Sequence, residues 1–258
     1  MKSLEECIAA AMDAQQDLEI IPFLPYIFQD FWELGTPSEI VINLVQRNCK
    51  NYSNLNVLDL GCGKGPVSVK LAAALKCNCY GIDGMPEFIA AAKAKACEYG
   101  VDTLCRFEVG DIREKIEELD KFDVIILGAT GPIFSDYYTA LTRLSKLIDD
   151  GIIIIEEGYI DDTSDFQHSS YLPQKELLKQ FENAGMELID EIVCNYGEVA
   201  DIAKEMENLS ARCNELKAKY PEKSSLFDSY VQNQASEFDV LENKIGGSIM
   251  VLKKCANE

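Results

Sequence analysis

Asp59, Gly61, Gly63 and Gly65 stand at alternate positions in "NVLDLGCGKGPVSVKLAAAL", residues 56–75, between an apolar run and a helical pattern. Glycines so spaced let a backbone lie directly against a ligand. The helix that follows offers free amides at its N-terminus. Asp83, in "GID" at 81–83, closes the next apolar run, where a carboxylate can accept both hydroxyls of a ribose. Asp111, in "VGDI" at 109–112, follows the third run, where it can accept from an adenine amino group. Glycines after one strand and acids after the next two read together as the site of a nucleoside-containing cofactor.

Such a site needs strands that end side by side. Short β-branched or apolar runs recur at 55–60, 78–82, 104–108, 122–128 and 151–156, with helical patterns at 64–76, 86–99 and 137–147 between them. Strand and helix alternating in this way give a parallel sheet covered on both faces, with right-handed crossovers. The rhythm then changes. A helix is expected at 173–185, closed by Gly185, then strands at 186–194 and 246–254. Between those strands lies a helical hairpin, residues 198–244, whose apolar positions are Val199, Ala203, Met206, Leu209, Cys213 and Leu216, then Phe227, Tyr230, Phe238 and Leu241. That stripe needs a partner: the core, the N-terminal helices or a second subunit, so a homodimer is one arrangement that covers it. The first 50 residues read as helical, and "TPSE" at 36–39 has the form of a capping box. The stretch "IIPFLPYIFQDFWELG", residues 20–35, is too irregular for one helix and reads either as a packed segment or as a lid.

The motifs "VLDLGCGKG", "YGIDGMPEFIAAA", "FEVGDI", "FDVIILGATGPIF" and "DDGIIIIEEGYI" occur in that order. In them the chain resembles the class I S-adenosylmethionine-dependent methyltransferases. It is most similar to the small-molecule branch that contains ubiquinone and menaquinone C-methyltransferases. The resemblance covers about residues 50 to 194 and returns at the terminal strand. It implies an α/β, Rossmann-like fold: seven strands, mostly parallel, the last antiparallel and inserted beside the fifth, with helices on both faces. Residues 1–50 then form an N-terminal helical lid segment, and 51–258 the methyltransferase domain with its insertion at 198–244.

The resemblance also implies S-adenosyl-L-methionine as cofactor. Asp59, Gly61, Gly63 and Gly65 would line its methionine part, Asp83 would hold the ribose, and Asp111 with the backbone of Ile112 the adenine. Gly128 and Ala129 would face the sulfonium. The family commonly carries a bulky apolar residue directly after the ribose acid, but here Gly84 stands there, leaving Met85 to pack on the adenine.

For acid–base work the candidates are Glu156, Glu157 and Tyr159, at the carboxyl end of the fifth strand, and His168. Each also has a plainer reading, as part of a solvated loop or as a surface histidine. Two other functions remain open: a protein that binds the cofactor without turnover, and a nicotinamide-dependent oxidoreductase, whose ribose Asp83 would also suit. With the sheet committed to the cofactor, the hairpin and the segment around Tyr26 and Trp32 are expected to shape the acceptor side.

Composition narrows the partners. The formal charge of −20 repels phosphate backbones and anionic lipid, so nucleic acid and membranes are not expected partners, and a small-molecule acceptor is. No apolar stretch approaches a membrane span, and the acidic start "MKSLEECIAAAMDAQQDLEI" lacks the form of an export signal, pointing to the cytoplasm. The ten cysteines read as scattered reduced thiols. The one close pair, "CNC" at 77–79, points both thiols to one face of a strand, but His168 is the chain's only histidine and no metal site is expected.

Overall fold

The computed structural model describes residues 2–14, 17–194 and 202–255. The chain divides into two compact units, one of residues 1–32 and 194–246, the other of residues 33–193 and 247–258. Residues 33–50, expected in the lid segment, are therefore part of the second unit.

That second unit is built on a sheet. Its strands are β1 (Asn56–Leu60), β2 (Asn78–Asp83), β3 (Cys105–Val109), β4 (Val124–Leu127), β5 (Ile152–Ile160), β6 (Leu172–Pro173), β7 (Met186–Cys194) and β8 (Gly246–Lys254). They lie in the order β3-β2-β1-β4-β5-β8-β7, with β6 pairing beside β5. β1 to β5 are parallel, and the C-terminal strands run antiparallel. The last strand thus lies beside the fifth, as the resemblance implied. The sheet has eight strands rather than seven because two residues, Leu172 and Pro173, pair with Tyr159 and Ile160.

The strands form where apolar and β-branched residues run together, and burial on both sides explains runs such as "IIII" in β5. Leu58, Leu60, Ile125, Leu127, Ile153 and Ile155 face one core. Leu141 and Leu144 of α7 (Tyr137–Leu144) and Leu177 and Phe181 of α8 (Gln174–Asn183) fill that core from above. The other face carries α4 (Pro66–Leu75) and α5 (Pro86–Glu98), with α3 (Ser38–Asn48) alongside α4. Prolines open α4 and α5, where the missing amide costs nothing.

The capping box expected at 36–39 does not form. The residue before α3 is Pro37, no side chain caps it, and the Thr36 hydroxyl accepts instead from the Ala129 amide at 3.1 Å. A tertiary hydrogen bond has displaced the local one.

The first unit is helical. α1 (Leu4–Ala11) carries a capping box, with the Glu6 amide donating to Ser3 Oγ at 3.1 Å and the Ser3 amide to the Glu6 carboxylate. After a 3₁₀ turn at Leu18–Phe23, which contains Pro22, comes the single turn α2 (Leu24–Ile27), with Pro25 in its opening positions. The hairpin helices are α9 (Ile202–Lys219) and α10 (Ser224–Asn243). Residues 198–201 of the expected hairpin, Val199 among them, lie outside the described residues.

The hairpin's apolar stripe packs on the N-terminal segment. Phe23 meets Phe227 edge to face at 5.0 Å and Tyr220 at 5.4 Å, and Phe28 meets Tyr230 at 6.4 Å. Arg212 binds Asp30 through Nε and a second nitrogen at 2.6 and 3.0 Å, and the Tyr26 hydroxyl donates to Glu215. The stripe is shifted from the expected one. Leu209, Cys213, Leu216, Leu226, Phe227, Tyr230 and Gln234 are buried, whereas Ala203 is exposed and Phe238 and Leu241 are half-covered. Gln234 can be buried because its amide donates to the Met12 carbonyl at 3.1 Å. Among the described residues no helix is long and apolar enough to cross a membrane.

Candidate active site

The carboxyl ends of β1, β2, β3 and β4 are tied together by the loops that leave them. Gly61, Gly63 and Gly65 all have positive φ (72°, 52° and 73°), a backbone that side-chain-bearing residues rarely adopt. Each is bare for a different reason. A Cβ at Gly61 would lie 2.3 Å from Thr130 Cγ2, and one at Gly65 would lie 2.9 Å from Ala92 Cβ and from the Phe107 ring. A Cβ at Gly63 would meet nothing within 4 Å, so there packing leaves an open cradle.

Asp83 holds that cradle in place. Its carboxylate accepts from the Gly63 amide at 2.9 Å and from the Met85 amide at 2.8 Å. Next to it, the Ile82 carbonyl accepts from the amides of Gly61 and Cys62, at 2.8 and 3.2 Å. The Asp83 carbonyl accepts from Gly110 at 3.0 Å, which fastens the "GDI" turn to the same point. Burial raises the Asp83 carboxyl above its ordinary range, opposed by the two amide donors. Each carboxylate oxygen has a second lone pair to give a ligand hydroxyl.

Asp59 sits deeper. It is 4% exposed and accepts from Ser68 Oγ at 2.6 Å. Burial, with the Asp83 charge adding to it, pushes its carboxyl up to about 6. From pH 4 to about 6 the folded chain therefore keeps a proton that the unfolded chain has lost, and stability falls as pH rises through that window. Asp59→Asn keeps an acceptor for Ser68 and removes the charge. Its ligand-free melting temperature is expected to gain on the unaltered protein as pH rises from 4.5 to 7, then stay ahead by a constant margin to pH 8. A margin equal at pH 4.5 and pH 8 would contradict the burial account.

Asp111 caps the short helix α6 (Ile112–Lys115) and is clasped by Arg113. The Arg113 amide and Nε both donate to Oδ1 at 2.9 Å, and the guanidinium also reaches Oδ2 at 2.5 Å. The pair lowers the Asp111 carboxyl below its ordinary range. Arg113 is a partner the sequence reading missed. The side chain of Ile112 packs toward the α7–α8 core, which leaves its backbone at the turn.

Gly84 is half-covered, and Met85, 5% exposed, is already buried by the protein. Met85→Ala is accordingly expected to destabilise the ligand-free protein by about 2 kcal/mol, seen as a lower melting temperature with or without cofactor product. An unchanged ligand-free melting temperature would return Met85 to the adenine.

Past β4, Gly128 and Ala129 lie against residues 35–36. A Cβ on Gly128 would be 2.4 Å from Thr36 Oγ1, and one on Gly35 would be 2.5 Å from Ala129 Cβ. Gly35, Thr36 and Thr130 are thus further members of the site. Only the run of small residues, "GT" and "GATG", could have signalled them. Lys64, in the glycine loop, is 7% exposed, with Nζ 5.4 Å from the centre of the Phe88 ring.

The four acid–base candidates separate. Asp59 pairs in register with Ile126, and Ile126 with Ile154, so these residues share one face of the sheet. Alternation puts the buried Glu156 on that face, one residue beyond the pairing of Leu127 with Ile155. Glu157 and Tyr159 point the other way. Glu157 accepts from the Tyr137 hydroxyl of α7, and Tyr159 packs on the α7–α8 core, where burial raises its phenol. His168 is half-buried in its own loop, parallel to Phe166 at 6.1 Å, with Nδ1 accepting from the Ser170 amide at 3.3 Å.

Comparison with known proteins identifies the family and the fold. The family profile described as "Methyltransferase domain" matches residues 51–225. A chloroplastic protein of Oryza sativa subsp. japonica, described as a probable tocopherol O-methyltransferase, is 31% identical over 100 residues, 39% of this chain and 28% of that protein. The chain therefore aligns with less than a third of that relative's length. Two solved structures share the fold, both described as SAM-dependent methyltransferases in complex with S-adenosyl-L-homocysteine. The one from Geobacter sulfurreducens has a TM-score of 0.74 and 20% identity, covering 90% of this chain and 98% of its own. The one from Thiobacillus denitrificans has a TM-score of 0.72 and 18% identity, with the same coverage. With the profile spanning more than half of the sequence, the chain belongs to the methyltransferase-domain family.

Proposed function

We propose that the enzyme transfers a methyl group from S-adenosyl-L-methionine to a small-molecule acceptor. The observation that carries this reading is the bond between the Gly63 amide and Asp83, which joins an open glycine cradle to a carboxylate placed for two ribose hydroxyls. When bound, S-adenosylmethionine supplies an electrophilic methyl group on a leaving group that needs no protonation.

The chain's own residues have three tasks. Asp83 accepts the ribose hydroxyls while keeping the glycine loop closed. The bare backbone at Gly61 and Gly63 lets the amino-acid part lie along the loop. Asp111, whose two oxygens Arg113 clasps, and the Ile112 amide beside it are assigned to the adenine. Holding both reactants in line accounts for much of the rate in such a displacement. An acceptor that must lose a proton also needs a base, and we assign Glu156 to it, because Glu156 shares the Asp59 face at the level of Gly128 while Glu157 and Tyr159 do not. A hydrophobic or neutral acceptor suits a chain of charge −20 better than a polyanion does.

The test is turnover. Purified protein is incubated with methyl-labelled S-adenosylmethionine and panels of phenols, quinols, acidic carbon compounds and amines. Label in one class of acceptor, with S-adenosylhomocysteine formed in equal amount, is the expected result. Tight cofactor binding without label in any small molecule would contradict it.

A further inference from the structure

The segment 33–38 crosses the exit of β4 as a strap. One end is fixed by Glu33, whose carboxylate accepts from Ser38 Oγ at 3.0 Å and from the Lys70 ammonium of α4. The middle is fixed by Thr36, whose Oγ1 accepts from the Ala129 amide and stands where a side chain on Gly128 would be. On the far side of that turn, the Thr130 amide donates to the Gly128 carbonyl at 2.6 Å, and the Thr130 methyl fills the place of a side chain on Gly61. Strap, β4 turn and glycine loop are thus packed one against the next.

Thr36 is 5% exposed. A hydroxyl has a proton to give as well as lone pairs, and the bond from Ala129 uses only a lone pair. Among the described residues the Thr36 hydroxyl proton meets no acceptor. A buried donor left so is costly until something accepts from it.

The order of the strands indicates what that acceptor is. The sheet runs β3, β2, β1, β4. Asp111 after β3 and Asp83 after β2 are assigned to adenine and ribose, so a cofactor laid across these ends brings its amino-acid part to β1 and β4. There Gly61 and Gly128 carry no side chains, and Thr36 stands against the second of them. The amino-acid part ends in an ammonium, which accepts nothing, and a carboxylate, which is a strong acceptor.

We propose that Thr36 binds the cofactor's carboxylate, its hydroxyl donating to one carboxylate oxygen while accepting from Ala129. This rests on the reading of the site as one for S-adenosylmethionine. The bond accepted from Ala129 strengthens the hydroxyl as a donor. The strap, already fixed to α4 through Glu33 and Lys70, holds it in place before the ligand arrives, so little ordering is lost on binding.

The test is calorimetry with S-adenosylhomocysteine and with its decarboxylated form, which lacks only the carboxylate. Thr36→Val keeps the branched shape and loses the hydroxyl. It is expected to weaken S-adenosylhomocysteine by about tenfold or more, as losing a hydrogen bond to a charged group does, and to leave the decarboxylated ligand within about twofold. Thr36→Ser should restore S-adenosylhomocysteine affinity. Thr36→Cys, whose thiol is a weaker donor, should fall between serine and valine, and it carries the comparison if Thr36→Val does not fold. Equal losses for the two ligands would make Thr36 a packing residue, and unchanged affinity for both would remove the contact; either result overturns the proposal. No binding of S-adenosylhomocysteine by the unaltered protein would instead overturn the reading of the site beneath it.

Discussion

Asp83→Ala is expected to weaken S-adenosylhomocysteine binding by at least a hundredfold. Two hydroxyls would lose a charged acceptor, each such bond contributing about 1.5–3 kcal/mol, so about 3–6 kcal/mol in all. The change also releases the Gly63 and Met85 amides that Asp83 holds at 2.9 and 2.8 Å, loosening the cradle before any ligand arrives. Asp83→Asn separates the two contributions, because its amide oxygen can still take one backbone donor while the charge is gone. Its affinity should fall between those of the unaltered protein and Asp83→Ala. Calorimetry on the three proteins measures this directly, and equal affinity in all three would remove Asp83 from the site.

Glu156→Gln is expected to lower turnover by about 10²- to 10⁴-fold, the usual range for losing a general base, while leaving S-adenosylhomocysteine affinity within about twofold. Glutamine keeps the size and hydrogen-bonding shape of the buried side chain, so folding should be little changed. The same substitution at Glu157 is the control, since the Tyr137 hydroxyl holds that carboxylate on the opposite face. Turnover lost with Glu157→Gln and kept with Glu156→Gln would reverse the assignment. Turnover kept in both would mean that the acceptor needs no base from the fifth strand.

The sheet and its glycine loop were legible because their signals are local. Apolar runs of four to nine residues, glycines at alternate positions and acids at strand ends each follow from the backbone they must adopt, and the strands lie within a residue or two of where those runs stand, save that β5 continues to Ile160. What local patterns cannot encode is a choice between near and distant partners. Thr36 has the sequence of a helix cap, yet its hydroxyl is taken by Ala129, far along the chain. Gln234 is buried where the periodicity favours Phe238 and Leu241, because a carbonyl at Met12 awaits its amide. The two-residue strand at Leu172 carries no pattern at all. The grouping of Glu156 with Glu157 and Tyr159 is a different matter. Their opposite faces follow from the period of two in any strand, and the information was present in the sequence.

The central claim is that the glycine cradle and Asp83 hold S-adenosylmethionine. Titration calorimetry of the unaltered protein with S-adenosylhomocysteine, and separately with NAD, addresses it most directly. One S-adenosylhomocysteine bound per chain, with no heat from NAD, is the predicted result. Absence of S-adenosylhomocysteine binding, or tight binding of NAD in its place, would contradict it.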